Sequence, residues 1–251
     1  MDNSNRNILR SVENTLSVLD LFGVHEELGV SEVAKLMGIG KSTAFRILTT
    51  LEVKKYLIKL PNMKYCLGIK LFSLGHIVKE RHSLKAVATP YLKKLSEMTG
   101  ETAHLVVWYD EQQVIFIDKY LSKSAISMKS FIGFIMPAHL TASGKVLLSG
   151  QTEDQLLDYA ESVSYIKKTD YTIMNKEDLI KEINMIRENG YAIDREESEI
   201  GLICNAAPII DHTGQTIGAL SASGPAHRML ENTSHNIHCV MEVAKEISDS
   251  L

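Results

Sequence analysis

Several groupings in the 251-residue chain carry residue types that chemistry uses. Cys204 with any of nine histidines has the parts of a thiol nucleophile and its base, although a lone Cys beside an apolar strand is ordinarily a small buried residue. His235, His238 and Cys239 fall within about one helical turn and offer metal ligands with no fourth in view. Gly144-Lys145 lacks the upstream glycine and the following Ser/Thr of a phosphate-binding loop. Ser221-Ala222-Ser223-Gly224 is not the G-x-S-x-G turn that exposes a nucleophilic serine. No catalytic residue, metal or cofactor is therefore expected.

Binding chemistry is better supplied. Ala142-Ser143-Gly144-Lys145 opens a helix, whose free N–H groups and dipole favour an anion such as a carboxylate. Asp194, Cys204, Ser221 and Ser223 are short polar groups on successive strands, and Ser221 and Ser223, two apart, share one sheet face. Taken singly, each is also what an internally satisfied strand residue looks like. A second set lies near the N-terminus. Lys41, Ser42, Thr43, Phe45, Arg46 and Thr49 remain on one helix once its core positions are removed, grouped where a recognition helix meets base edges. Arg46 has the fork that suits guanine, Phe45 an apolar surface for a thymine methyl, and the hydroxyls can hold phosphates.

These groups need elements to hold them. Ser11 is placed to cap a first helix with Val12, Leu16, Leu19 and Phe22 on its apolar stripe; Ser31 is placed to cap a second, Glu32 to Met37. Gly38-Ile39-Gly40 supplies a turn, and Lys41 to Leu51 buries Ala44, Ile47, Leu48 and Leu51: a helix-turn-helix. Tyr56–Leu60 and Lys64–Leu67 flank Pro61-Asn62-Met63 as a hairpin wing, which adds Lys64 to the expected DNA surface together with Ser31. Residues 68–82 read as a helical joint without the Gly/Ser/Pro content of a loose linker. From Leu84 onward helices alternate with hairpin-joined strands, including Thr102–Trp108, Val114–Ile117, Tyr191–Arg195, Asn205–Ile210 and Thr216–Ser223, which indicates α+β. The expected domains are 1–67, 68–82 and 83–251.

Charge agrees with that division. The net charge of −4 argues against a nucleic-acid binder when taken whole, because phosphate binding calls for a basic surface. Residues 1–82 hold twelve Lys+Arg against eight Asp+Glu, and the remainder fifteen against twenty-three, so +4 precedes the joint and −8 follows it. Three widely spaced cysteines suggest no disulfide framework. No apolar run approaches the ~18 residues of a membrane span and no signal-peptide core is present, so a cytoplasmic protein is expected.

Ser11-Val-Glu-Asn-Thr-Leu-Ser-Val-Leu-Asp-Leu-Phe22, Ser31-Glu-Val-Ala34 and Gly40-Lys-Ser-Thr-Ala-Phe-Arg-Ile-Leu48 resemble the winged helix-turn-helix of the IclR family of bacterial transcriptional regulators. Thr141 to Leu148, Asp194 through Gly201 to Pro208, and Ala219 to Pro225 are similar to the motifs of that family's GAF-like effector domain. The resemblance implies a dimeric or tetrameric regulator, more often a repressor, that binds double-stranded operator DNA. Its small-molecule effector would be an organic or sugar acid. By position, Asp194, Cys204, Ser221 and Ser223 become polar effector contacts, Ala142 and Ser143 backbone contacts, and Met128 and Met136 an apolar patch. His104 and His139, if they face the pocket, would bias it toward a carboxylate or hydroxylated ligand. Two other readings stand beside this one: an enzyme using Cys204 or Asp194, and a protein-interaction scaffold.

Overall fold

The computed structural model describes residues 8–81, 83–122 and 131–251, in two compact units, Met1–Arg81 and His82–Leu251.

In the first unit α1 (Arg10–Leu21), α2 (Val30–Met37) and α3 (Lys41–Val53) pack around Val18, Phe22, Val33, Ala44, Leu48 and Leu51, with Leu57 and Tyr65 closing the cluster from the hairpin β1 (Leu57–Lys59) and β2 (Tyr65–Leu67). Each buried leucine or phenylalanine contributes on the order of 2 kcal/mol, which is how three short helices hold together. Gly38 adopts φ +63° and ends α2 in the left-handed region, as the turn between two helices requires. Neither serine expected to cap a helix does so. α1 starts one residue before Ser11, whose carbonyl instead accepts from the Thr15 hydroxyl at 2.7 Å. α2 starts at Val30, and the cap is supplied from within the helix: the Glu32 carboxylate reaches back to the Gly29 N–H at 2.6 Å. The reason lies one residue earlier, where Leu28 and Tyr65 exchange both backbone hydrogen bonds and fix the chain's entry into α2. α4 (Ile69–Arg81) follows the hairpin.

The second unit is a six-stranded antiparallel sheet in the order β5-β4-β3-β8-β7-β6, made of β3 (Thr102–Trp108), β4 (Gln113–Tyr120), β5 (Ile135–Pro137), β6 (Ala192–Arg195), β7 (Leu202–Ile210) and β8 (Thr216–Pro225). α5 (Ser83–Thr99) and α10 (Thr233–Asp249) cover one face through Leu92, Leu95, Val240 and Val243. α6 (Ala142–Ser149), α7 (Glu153–Ser162) and α8 (Lys176–Asn189) cover the other through Val146, Leu147, Leu156, Leu179 and Ile183. Sequence patterning missed β5, the 3-10 turn Ala138–Leu140 and α9 (Ala226–Glu231), all too short to show a period. Among the described residues no helix is long and apolar enough to cross a membrane.

Candidate functional site

The outer face of α3 in the first unit divides into two flanks. Lys41, Ser42, Thr43, Phe45 and Arg46 are exposed and Thr49 is half-buried, so α3 presents the side chains expected of it. Helical spacing sorts them: Phe45 borders a groove toward the wing, while Thr43 and Arg46, with Thr50, border a groove toward α1. Phe45 stays 50% exposed, an apolar surface with no internal use.

On the wing side Lys64 is not a free cation. Its Nζ lies 3.4 Å from both Glu27 and Glu32, and Asn62 donates to Glu27 at 3.1 Å. The hydrogen bond to Glu27 holds the Lys64 ammonium above its ordinary pKa, and the Gly29 N–H holds the Glu32 carboxyl below its own. Ser31, in the first turn of α2, lines the same groove. A count of charges along the chain includes these acids but does not show that they fold onto Lys64. What could have shown it is their spacing on the segment that pairs with the wing.

In the second unit a small enclosed cavity is lined by Ala142, Ser143, Asp194, Cys204 and Ser221 from the expected set, and by His104, Phe116, Thr141 and Ser198. Cross-strand register assembles it. Asp194 pairs with Cys204, Cys204 with Ser223, and His104 with Ser221, so these side chains meet on the α6 face of the sheet. Ser223 shares that face but is not among the lining groups; its Oγ stands 3.5 Å from His104 Nδ1. Met136 sits half-buried on β5 and is not brought to the cavity, and Met128 lies outside the described residues. His139 is not among the lining groups either: its backbone N–H and Nδ1 both meet the Tyr159 hydroxyl at 2.9 Å.

The cavity roof is the start of α6. Thr141 caps it by accepting from the Gly144 N–H at 2.9 Å, which leaves the amides of Ala142 and Ser143 without an acceptor among the described residues. Gly144 is required for packing: a Cβ there would stand 2.1 Å from the Ala138 carbonyl oxygen, so the glycine lets α6 seat on the preceding turn. The Ser143 and Ser221 hydroxyls, both nearly buried, also have no hydrogen-bond partner among the described residues.

Beneath lies a buried charge cluster. Lys145 is 0% exposed; its ammonium donates to Glu197 at 2.7 Å, to the Ile193 carbonyl at 2.8 Å and to Glu182 at 3.0 Å. Glu197 N–H then donates to one oxygen of Asp194 and the Ser198 hydroxyl to the other, both at 2.7 Å. Glu196 between them holds φ +60°, a left-handed turn that these contacts enforce. Burial pushes the Asp194 and Glu197 carboxyls up and the Cys204 thiol well up. A raised thiol is the wrong direction for a nucleophile. Burial, with Lys119 adding to it, drives His104 down to about 3, so its ring is neutral.

The cavity measures about 10 Å³, room for about one water molecule. Anything larger must open it. On α10 His235 meets both the Cys239 thiol, at 3.5 Å, and the Met98 carbonyl, at 3.1 Å, while His238 faces Glu242, so no third ligand joins the pair and the described residues hold no metal-ligating cluster.

Comparison with known proteins adds the following. Residues 76–249 match the family model for the bacterial transcriptional regulator IclR C-terminal domain and residues 11–61 the IclR helix-turn-helix domain. The HTH-type transcriptional regulator XynR of Escherichia coli is 39% identical over 218 residues, 86% of each chain. The IclR structure from Thermotoga maritima aligns with 30% identity and a TM-score of 0.72, covering 95% of this chain and 99% of that one. An IclR homolog from Microbacterium hydrocarbonoxydans, complexed with 4-hydroxybenzoate, has the same fold, with a TM-score of 0.84 at 22% identity over 95% of this chain and 98% of that one.

Proposed function

The chain belongs to the IclR family of DNA-binding bacterial transcriptional regulators, and we propose that it is a cytoplasmic repressor released from its operator by a small organic or sugar acid. The observation that carries the reading is the cavity at the head of α6. There two free backbone amides and the Ser143 and Ser221 hydroxyls wait for acceptors in a space closed to anything beyond a water. A carboxylate supplies those acceptors at a helix start, beside the neutral ring of His104 in the cavity wall. The 4-hydroxybenzoate held by the Microbacterium homolog supports an acid as the ligand class. Because the closed cavity must expand, ligand binding and a change of conformation are one event; such a ligand shifts populations by its differential affinity for the open form.

Ser42, Thr43, Phe45, Arg46 and Thr49 would read or grip operator DNA, with Lys41 near phosphate. A homodimer or tetramer is supported by the apolar stripe Leu9, Val12 and Leu16 along α1, each at least half exposed, a surface that a second copy would cover. Two heads so joined would meet half-sites about 34 Å or a multiple apart. A thermal-shift screen of carboxylic and sugar acids tests the reading, since a ligand selective for the native state raises the melting temperature. The hit should weaken operator binding in a gel shift, and Ser143→Ala with Ser221→Ala should erase its shift. A hit that survives both substitutions would place the ligand elsewhere, and turnover of the acid would favour an enzyme.

A further inference from the structure

The two grooves beside α3 differ in what charge they leave free. Toward the wing, Glu32 lines the groove and the Lys64 ammonium is shared by two carboxylates. Toward α1 lies a groove of about 420 Å³ formed by Ser11, Asn14 and Thr15 of one helix and Thr43, Arg46 and Thr50 of the other, over Ile47. No carboxylate lines it. Two of its hydroxyls are spent internally, Thr15 on the Ser11 carbonyl and Thr50 on the Arg46 carbonyl, each at 2.7 Å. The Ser11 and Thr43 hydroxyls, the Asn14 amide and the Arg46 guanidinium keep no hydrogen-bond or ion-pair partner among the described residues. Four groups able to donate, one of them cationic, thus converge on a groove that contains no acceptor charge.

We propose that this groove is a cradle for the DNA backbone, in which Ser11 and Asn14 of α1 join Thr43 and Arg46 of α3 on a phosphodiester of the bound duplex. The chemistry selects a phosphate, because its oxygens accept from several donors at once and its charge matches the guanidinium. The location selects DNA as its source, since the groove borders the recognition helix of a DNA-binding unit. The face is separate from the apolar stripe of α1, since Ser11 and Thr15 point about 100° away from Val12 and Leu16. α1 thereby becomes part of the DNA surface as well as packing α3, and the grip on the backbone falls on the α1 flank.

Fluorescence anisotropy of the full-length protein on a short random-sequence DNA duplex, repeated over a salt series, tests this. Ser11→Ala with Asn14→Ala should weaken binding by roughly tenfold with an unchanged dependence on salt, because neutral donors displace no counterion. Asn14→Lys should do the reverse, tightening binding and steepening the slope of log affinity against log salt by about 0.9, the increment of one newly neutralised phosphate. That gain does not arise from misfolding. Arg46→Met should flatten the slope by a similar amount. If the double alanine variant binds within about twofold of the parent, or the lysine leaves the slope unchanged, no phosphate sits in the groove and the proposal fails. Wild-type protein that bound no duplex would overturn the DNA reading itself and this with it.

Discussion

Arg46 and Lys145 carry the same charge in opposite settings. Arg46 projects from α3 with no internal partner; Lys145, on α6, is sealed in the second unit and hydrogen-bonded to two carboxylates and a carbonyl. The serines divide the same way, since Ser42 is exposed on α3 whereas Ser143 and Ser221 line a cavity the size of a water. The first unit leaves most polar side chains of α3 exposed and spends few groups, such as Lys64 and the Glu32 cap, on its fold. The second folds around its polar groups, so the residues that line its cavity also hold its fold together. Changes to the functional surface should therefore be cheap in stability in the first unit and costly in the second.

The largest break in that comparison should come from Lys145→Met. Removing the ammonium strands Glu197 and part of Glu182 in the interior, and loss of one partner of a buried pair costs about 3 to 5 kcal/mol. Chemical denaturation reads it, and a loss below about 1 kcal/mol would mean that water reaches the cluster.

Next comes a dependence on pH. His104 is held near 3 in the folded chain and returns to about 6.5 when unfolded. The unfolded state thus binds the extra proton, and stability falls as pH drops from about 6.5 toward 3. At pH 5 the loss from this ring amounts to about 2 kcal/mol. Comparing wild type with His104→Gln at pH 7 and pH 5 isolates it, because Asp194 and Glu197 titrate in both proteins. Parallel losses on acidification would show that the ring is not kept neutral by its site.

The smallest effect on folding should be that of Arg46→Ala, within about 0.5 kcal/mol for an exposed side chain with no partner. Affinity for operator and for random-sequence DNA should nonetheless fall together, by about 1.5 to 3 kcal/mol for a lost charged hydrogen bond to phosphate. Intact operator binding by this variant would remove Arg46 from the recognition surface, and a large fall in melting temperature would erase the contrast between the units.

Much of this was legible from the residues. The periodic apolar positions of α3, Gly38 between α2 and α3, and the alternation in β3 and β8 each follow from a local rule, and the motifs at Thr141–Leu148 and Asp194–Pro208 marked the cavity's neighbourhood, whereas on α1 Val12 and Leu16 of the expected stripe stay exposed and Val18 is buried instead. Ser11 and Ser31 misled because capping propensity is local, whereas the Leu28–Tyr65 bridge that fixes the start of α2 joins residues far apart in the chain. Lys64 was counted as a free basic residue because Glu27 and Glu32 come from another element. Phe116, Thr141 and Ser198 went unnoticed beside the cavity, since each satisfies an ordinary rule for a strand, a cap or a loop.

The sequence by itself determined the elements, the charge division between N-terminal and C-terminal parts, and which segments hold the polar groups, because those depend on neighbours a few residues apart. Tertiary structure decided which of those groups remain free. Register put Ser221 and Ser223 on one face but only Ser221 in the cavity wall, folding sealed Lys145 and spent Lys64, and packing of α1 on α3 left Asn14 and Arg46 facing one groove. The physical reason is that a charge or hydroxyl is available for a ligand only where no protein partner has already met it, and its partners come from distant parts of the chain.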